Sequence, residues 1–312
     1  MATCLESPRR IVPPVSIRQH PWAVLLAGGD GTRLQSLTMK IAGDSRPKQF
    51  CRLFDGKSLL DQTRQRIQPL FRRDKTMFVV TRAHERYYRE LLGAESSRVI
   101  EQPRNRGTGV AIATALFHIL QVEDNPLVAF FPCDHYYAND YAFGSAVKSA
   151  LAAAEEYPRS IVLLGADAHY PETEYGWIEP VSAMGRQWTG PLRVNRFWEK
   201  PSLQTARALV GRGCLWNTFV TAGRADTFLE LLCSQIPDAM LHLVGVAEED
   251  MNGAYARVRS VDFSREVLAQ SPHRLMAVRD GESGWADLGN PTRVVDTMVR
   301  NRIEPAWLAD YR

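Results

Sequence analysis

Paired cysteines are missing from this sequence of 312 residues. It has five cysteines, and no two of them form a Cys-x-x-Cys pair. They are Cys4, Cys51, Cys133, Cys214 and Cys233. An odd number without such a pair predicts neither a disulfide framework nor a zinc ribbon. The cysteines therefore indicate a reducing, intracellular setting, and we expect a cytoplasmic protein.

Long apolar runs and a large net charge are also lacking. No stretch approaches the roughly 18 apolar residues that a membrane span needs, and prolines and arginines at 8–14 interrupt the place of a secretory signal. The 38 Lys and Arg balance 35 Asp and Glu, for a formal net charge of +3, which argues against a nucleic-acid binder. We expect small-molecule partners, no nucleic acid and no membrane, and we leave a homodimer open.

What the chain does contain is a regular alternation of short β-branched runs with longer amphipathic runs. The runs predict strands at 22–26, 77–81, 98–100, 127–131 and 161–165, and helices at 58–70, 85–92, 110–121 and 141–155. This order predicts a parallel sheet with helices on both faces. Residues 1–21 are predicted to be a flexible leader, and 22–312 to be one domain.

The pattern becomes mixed after about residue 170. Strands are predicted at 176–180, 194–198, 215–221 and 275–278, and helices at 203–210, 225–235 and 264–269. A closing helix should begin near 290, where Pro291 suits the first helical turn. The predicted fold class is therefore α/β, with a mostly parallel mixed sheet.

A glycine-rich loop follows the first predicted strand. Residues 27–34 read Ala-Gly-Gly-Asp-Gly-Thr-Arg-Leu, and ligands bind at the carboxyl ends of strands in open α/β sheets. Glycines let backbone amides approach a phosphate, and Arg33 can add a charged fork. The same residues also fit a tight turn with an exposed arginine.

Two common phosphate loops are excluded, because no Gly-Lys-Ser/Thr ending is present and Leu34 replaces the third glycine of a dinucleotide fingerprint. A second basic cluster follows at 46–50, Arg-Pro-Lys-Gln-Phe. There Lys48 stands between a rigid proline and an apolar residue.

Residues 26–34 together with 46–50 resemble the signature of sugar-phosphate nucleotidyltransferases, and Pro-Lys-Gln-Phe resembles the mannose-1-phosphate guanylyltransferase branch. The resemblance implies a Rossmann-like nucleotidyltransferase fold. It also implies that the glycine loop wraps a triphosphate, while Arg33 and Lys48 neutralise the α-phosphate and the departing pyrophosphate. The loop residues concerned are Ala27, Gly28, Gly29, Gly31 and Thr32.

Residues 101–108 resemble the base-reading loop of guanylyltransferases, which precedes an alanine-rich helix. The resemblance implies that Gln102, Gly107 and Thr108 contact the nucleotide, with Gln102 able to read a guanine edge. The alternative is a helix start that is rich in turn-forming residues.

Two aspartates resemble the metal-binding elements of the same family. Asp134 lies in Pro-Cys-Asp-His at 132–135, and Asp287 lies in Trp-Ala-Asp-Leu-Gly at 285–289. Mg²⁺ typically takes one or two protein carboxylates and completes its shell with phosphate oxygens and water. The resemblance implies a Mg²⁺ cofactor on this pair, although an aspartate after a strand often only caps the next helix.

Three later segments resemble the sugar-binding elements of the family. The loop at 171–179, the Phe-x-Glu-Lys-Pro element at 197–201 and the Trp-Asn element at 216–217 imply sugar or sugar-phosphate contacts. The residues are Gly176, Glu199, Lys200 and Asn217. Residues 260–262 resemble a Ser-Ile-Asp element of the family, and an exposed Glu-Lys ion pair is the alternative for 199–200.

The sequence also departs from the family pattern beside the sugar site. Glu174 replaces a usual glycine, Thr218 and Phe219 replace Ser-Gly, and Gln35 and Ser36 stand where a proline turn is common. Because the sequence ends at 312, we expect no C-terminal β-helix or isomerase-type domain.

The resemblance spans about 22–301. It implies that the domain at 22–312 has a nucleotide-binding half near 22–168 and a sugar-binding half near 169–312. It implies the reaction of GTP with mannose 1-phosphate to give GDP-mannose and pyrophosphate. Two alternatives stay open. One is thymidylyl or uridylyl transfer to glucose 1-phosphate, and the other is a regulatory paralogue that binds sugar nucleotides without turnover.

Overall fold

The computed structural model describes residues 20–54, 56–93, 98–181, 188 and 190–309, so the predicted leader lies almost entirely outside the described residues. The strands are β1 (Trp22–Leu26), β2 (Thr76–Thr81), β3 (Val99–Gln102), β4 (Leu127–Pro132), β5 (His135–Tyr136), β6 (Ile161–Asp167), β7 (Gly176–Pro180), β8 (Leu192–Glu199), β9 (Leu215–Arg224), β10 (Leu275–Arg279) and β11 (Ala286–Asp287).

The helices surround a central sheet. They are α1 (Gln35–Ala42), α2 (Leu59–Ile67), α3 (Glu85–Leu92), α4 (Gly107–Leu120), α5 (Asp140–Glu156), α6 (Leu203–Gly211), α7 (Ala225–Gln235), α8 (Pro237–Met240), α9 (Met251–Arg257), α10 (Pro291–Asn301) and α11 (Ala306–Ala309). The predicted helix at 264–269 is a π-helical turn at Ser264–Leu268. Among the described residues, none of the helices combines the length and apolar character that a bilayer crossing needs.

Side-chain caps explain where several helices begin. Ser58, Asn139, Ser202 and Asn290 each accept a hydrogen bond from a backbone N–H in the first turn of the helix that follows. Such a cap satisfies a donor that has no partner inside the helix. Pro291 occupies the first turn of α10, as the sequence predicts.

The sheet has nine strands in the order β3-β2-β1-β4-β9-β6-β10-β8-β7. In the described part of the chain, β8 and β9 run opposite to the other seven. The prediction of a mixed α/β sheet is therefore confirmed, and seven of its nine strands run in one direction. Strand β9 pairs with both β4 and β6, so a strand from the second half of the sequence lies between two strands of the first half.

Alternating residues of the central strands bury apolar side chains on both faces of the sheet. On one face Phe130 packs against Phe228 of α7, with ring centroids 5.0 Å apart. On the other face Phe131 packs against Phe143 of α5 at 6.2 Å. Burying one such side chain contributes roughly 1.5–3 kcal/mol, so the helices are held on both faces, as predicted.

A third apolar cluster joins the loop after β1 to the region after β11. Leu34 and Leu37 pack with Leu288 and Val294, and all four are nearly fully buried. This cluster places the exit of the glycine loop beside the strand that carries Asp287.

Candidate active site

A cleft of about 350 Å³ lies at the carboxyl ends of β1, β3 and β4. Many of the predicted site residues line it: Gly28, Gly29, Gln102, Gly107, Thr108, Asp134, Gly176, Glu199, Asn217 and Asp287. Among the described residues, the lining does not include Ala27, Gly31, Thr32, Arg33, Lys48 or Lys200. The sheet therefore brings the predicted nucleotide-binding and sugar-binding residues together. The predicted basic residues Arg33, Lys48 and Lys200 do not line the cleft.

The glycine loop and the second basic cluster form one unit. The Gln49 side-chain Nε2 donates to the carbonyl oxygens of Ala27 and Gly29, at 2.9 and 2.7 Å. Gly31 has φ +61°, and a Cβ there would lie 3.0 Å from Pro47 Cα. The loop thus needs glycine at this turn and buried Gln49 beneath it, and the sequence had not singled out Gln49 as a site residue.

The predicted base-reading loop is fastened to residues 260–263. Val261 donates from its backbone N–H to Arg106 O at 2.9 Å and accepts from Gly109 N at 3.0 Å. The Phe263 N–H donates to the Thr108 hydroxyl at 3.0 Å. The segment that resembles a Ser-Ile-Asp element therefore supports the start of α4.

Asp134 and Asp287 converge on one cation. The Lys48 Nζ lies 3.2 Å from Asp134 Oδ2 and 3.4 Å from Asp287 Oδ1, and it donates to Leu288 O at 2.9 Å. Desolvation raises the pKa of Asp134, but the attraction of Lys48 and His135 outweighs it, and the pKa is lowered. Asp134 therefore favours its ionised form, and the buried ammonium lies within 3.4 Å of both carboxylates.

A short strand pair holds the two aspartates in register. β5 and β11 are antiparallel and place Asp287 opposite His135. The Trp285 indole donates to His135 Nδ1 at 3.1 Å, so the proton of a neutral imidazole lies on Nε2. That nitrogen is 3.6 Å from Asp134 Oδ1 and 3.8 Å from Asp287 Oδ1. His135 therefore places its Nε2 near both carboxylates without a hydrogen bond to either, a position that the sequence motif alone did not assign.

The donor set fits a hard divalent cation. Within the described ranges, no group of three or more His, Cys, Asp or Glu side chains is arranged to hold a metal ion. Mg²⁺ needs only one or two protein carboxylates when phosphate oxygens and water complete its shell. Asp134 and Asp287, both within 3.4 Å of one ammonium, meet that requirement.

The sugar end of the cleft contains one carboxyl with an unusual pKa. Desolvation and the charge of Asp262 raise the pKa of Glu199 to about 7. A Cβ at Gly176 would lie 2.9 Å from Phe197 Cζ and 3.0 Å from Glu199 Oε2, so a larger residue there would displace one of these side chains. The Asn217 Oδ1 accepts from Phe219 N at 3.1 Å, while Lys200 is exposed and only its backbone N–H reaches Tyr175 O, at 3.1 Å.

Two arginines connect the sugar loop with the rest of the site. Arg33 Nη1 lies 3.6 Å from Glu174 Oε2, and the side chains are 59% and 52% exposed. Arg293 pairs with Glu172 at 2.7 Å and with Asp287 at 3.3 Å. Glu174 is one of the departures from the family pattern. Arg293 was not among the site residues predicted from the sequence, because its position on α10 gives no local signal of its partners.

Comparisons with known proteins agree with this geometry. The sequence profile of the family described as Nucleotidyl transferase matches residues 22–301. The mannose-1-phosphate guanylyltransferase 2 of Escherichia coli O157:H7 is 29% identical over 301 residues, covering 90% of this chain and 60% of the relative. The mannose-1-phosphate guanylyltransferase of Klebsiella pneumoniae is 32% identical over 282 residues, covering 86% and 58%. The chain thus spans less than two thirds of the length of these relatives.

Solved structures show the same architecture. A protein of Thermus thermophilus described as a mannose-1-phosphate geranyltransferase is 31% identical, with a TM-score of 0.75 over 87% of this chain and 77% of that one. A Helicobacter pylori protein described as a mannose-6-phosphate isomerase is 23% identical, with a TM-score of 0.68 over 86% of this chain and 100% of that one. At that identity the second likeness concerns the fold alone.

Proposed function

Because the chain belongs to the nucleotidyl transferase family, we propose that it transfers a guanylyl group from GTP to mannose 1-phosphate. The products are GDP-mannose and pyrophosphate. The observation that carries the proposal is a single cleft lined by the glycine loop, two aspartates and the sugar-side residues Glu199 and Asn217. Relatives at 29% and 32% identity bear the name of this activity.

The reaction needs no protein nucleophile. A phosphate oxygen of mannose 1-phosphate is already anionic and attacks the α-phosphorus of GTP. The bond from that phosphorus to the bridging oxygen breaks, and pyrophosphate leaves with the electron pair. The protein's contribution is positioning and charge neutralisation. The glycine loop places the triphosphate, and Arg33 neutralises charge on it after leaving Glu174.

Asp134 and Asp287 are the residues that would hold Mg²⁺. When bound, the ion supplies positive charge next to the reacting phosphate oxygens. Lys48 holds the two carboxylates close together, since its ammonium lies within 3.4 Å of each. His135 Nε2 lies 3.6 Å from Asp134 and 3.8 Å from Asp287.

A substrate panel tests the proposal. The purified chain is incubated with Mg²⁺, with mannose 1-phosphate or glucose 1-phosphate, and with each of ATP, CTP, GTP, UTP and dTTP, while pyrophosphate is measured. We expect the highest kcat/KM for GTP with mannose 1-phosphate. Lys48→Ala should lower kcat by about tenfold to a hundredfold, the usual loss when a group that orients metal ligands is removed.

Lys57→Ala provides the matched control, because Lys57 is exposed and, among the described residues, its ammonium bonds only to Gln65 Oε1, at 3.0 Å. Its kcat should equal that of the wild type. Faster turnover of dTTP or UTP with glucose 1-phosphate would replace the substrates and keep the reaction. GDP-mannose binding without pyrophosphate release from any pair would favour the regulatory paralogue and contradict the proposal.

A further inference from the structure

A buried hydrogen-bond chain lies behind Gln102. The Tyr255 hydroxyl donates to Gln102 Oε1 at 3.2 Å and lies 2.7 Å from the Thr114 hydroxyl. Tyr255 is fully buried, and Gln102 and Thr114 are only 2% and 3% exposed. Burial raises the pKa of Tyr255 to about 12, so its hydroxyl keeps its proton at neutral pH and remains a donor.

These hydrogen bonds bear on the orientation of the Gln102 side-chain amide. A side-chain amide has an acceptor oxygen and a donor nitrogen, and a half-turn exchanges them. The Tyr255 hydroxyl donates to the oxygen end. The Thr114 hydroxyl has one proton, which is shared between Val110 O at 2.9 Å and the phenol oxygen at 2.7 Å. The nitrogen end faces Val80 O at 3.5 Å, and a carbonyl oxygen can only accept. The Val80 carbonyl therefore sets the orientation of the amide, and the Tyr255 hydroxyl is the donor that meets its oxygen end.

The nitrogen end is also the end that borders the cleft. A Cβ at Gly28 would lie 2.8 Å from Gln102 Nε2, and both residues line the cleft. One N–H of the amide points to Val80 O. Among the described residues the second N–H has no acceptor, so it is available to a ligand.

We propose that Tyr255 is a positioning residue for base selection. Together with Thr114 it holds the Gln102 amide with its donor end towards the base, so the cleft selects bases that carry a keto oxygen at the edge it meets. Guanine, uracil and thymine have such an oxygen, whereas adenine and cytosine have an amino group in its place. The inference deepens the proposed function and rests on it only in placing the base beside Gln102.

Nucleotide binding to the full chain tests this selection. Isothermal titration calorimetry gives Kd for GTP and for ATP, both with Mg²⁺, for the wild type and Tyr255→Phe. The wild type should bind GTP more tightly. In Tyr255→Phe the ratio of the two Kd values should move towards one by about fivefold to tenfold, the effect of one buried hydrogen bond.

Tyr137→Phe is the matched control, because it also removes a buried phenol hydroxyl, one whose ring packs beside Phe143 on the other face of the sheet. It should keep the wild-type ratio. In a Gln102→Ala background the Tyr255→Phe change should have no further effect on the ratio, since the two residues act as one unit. Thr114→Val should shift the ratio in the same direction, and it replaces Tyr255→Phe as the test if that variant does not fold.

An unchanged ratio of the Kd values for GTP and ATP in folded Tyr255→Phe would overturn the inference. If Thr114→Val replaces that variant, an unchanged ratio in Thr114→Val would do the same. A wild type that binds ATP as tightly as GTP would also overturn it. The proposed function fails differently. Selective GTP binding without GDP-mannose synthesis would leave the inference intact and contradict the transferase activity. Tighter binding of UTP or dTTP than of GTP would keep keto selection and contradict the choice of GTP.

Discussion

Asp134 and Asp287 reach one cleft from distant parts of the chain because β5 and β11 pair directly beside them. Changing either to Asn keeps the shape and removes one negative charge. We expect each variant to bind Mn²⁺ at least about tenfold more weakly, since even changes in the outer shell of a metal site cost about tenfold to a hundredfold. Calorimetric titration with Mn²⁺ alone measures this without turnover.

Asp296→Asn, an exposed aspartate on α10, is the control and should bind Mn²⁺ as the wild type does. Wild-type affinity in both Asp134→Asn and Asp287→Asn would remove the two residues from the metal site. The thermal midpoints of all three variants should stay close to that of the wild type.

Glu199 predicts a pH dependence of sugar binding. Its pKa is about 7 because of desolvation and the nearby Asp262. A carboxylate accepts hydrogen bonds more strongly when it is ionised, so binding through sugar hydroxyls favours the deprotonated form. KM for mannose 1-phosphate should therefore fall as the pH rises through about 7.

Steady-state kinetics across neutral pH measure this step, and Glu199→Gln should abolish it. Any change that remains in the variant belongs to the sugar phosphate itself, whose second pKa is about 6. An identical pH profile in the wild type and Glu199→Gln would show that Glu199 does not meet the sugar.

At the scale of elements, the long periodic segments could be predicted from the sequence. The predicted helices at 85–92 and 225–235 have the bounds of α3 and α7, and the strand at 22–26 has those of β1. β5 and β11 were missed because two-residue strands have no period. The sequence did not predict α1. Gln35 and Ser36 stand where a proline turn is common in the resembled family, and Leu37 makes its contacts with distant Leu288 and Val294.

The candidate site could also be predicted only in part from the sequence. Motifs located Asp134, Asp287 and Gln102, since each ends a strand or lies just past one. The supporting contacts could not be read from the sequence, because Gln49 bonds to backbone oxygens and Tyr255 reaches Gln102 from α9. Such contacts depend on tertiary packing.

The start of α4 offers a test at the same scale. Gly107 has φ +81°, and a Cβ there would lie 2.3 Å from Val261 O. Gly107→Ala should lower the free energy of unfolding by at least about 1–3 kcal/mol, the cost of a strained backbone conformation. It should also weaken GTP binding, because α4 begins in the base-reading loop. Urea denaturation and calorimetry measure the two effects.

Gly211→Ala is the matched control, since no heavy atom lies within 4 Å of a Cβ at that position and Gly211 ends α6. Its stability should stay the same or rise slightly. If Gly107→Ala is as stable as Gly211→Ala, the contact between α4 and Val261 does not constrain the loop.

At the scale of the whole molecule, anion binding depends on where charges lie, because the formal net charge is only +3. β9 inserts a strand of the second half between β4 and β6. Arg33 and Glu174 join the glycine loop to the sugar loop at 3.6 Å. In the resembled family the position of Glu174 is usually glycine. This chain therefore adds a negative charge beside its own candidate triphosphate site.

Glu174→Gln should therefore tighten GTP binding. The variant frees Arg33 and removes a carboxylate that repels the triphosphate, while the side chain keeps its size. Because both partners are more than half exposed, the gain should be only about twofold to fivefold, as for other surface pairs. The gain should shrink at high salt, since screening weakens both the Arg33–Glu174 ion pair and the repulsion of the triphosphate.

Glu90→Gln is the control. It removes a similarly exposed carboxylate, 4.0 Å from Arg52, and should leave the Kd for GTP unchanged. Weaker GTP binding in Glu174→Gln would show that Glu174 supports nucleotide binding instead of competing for Arg33.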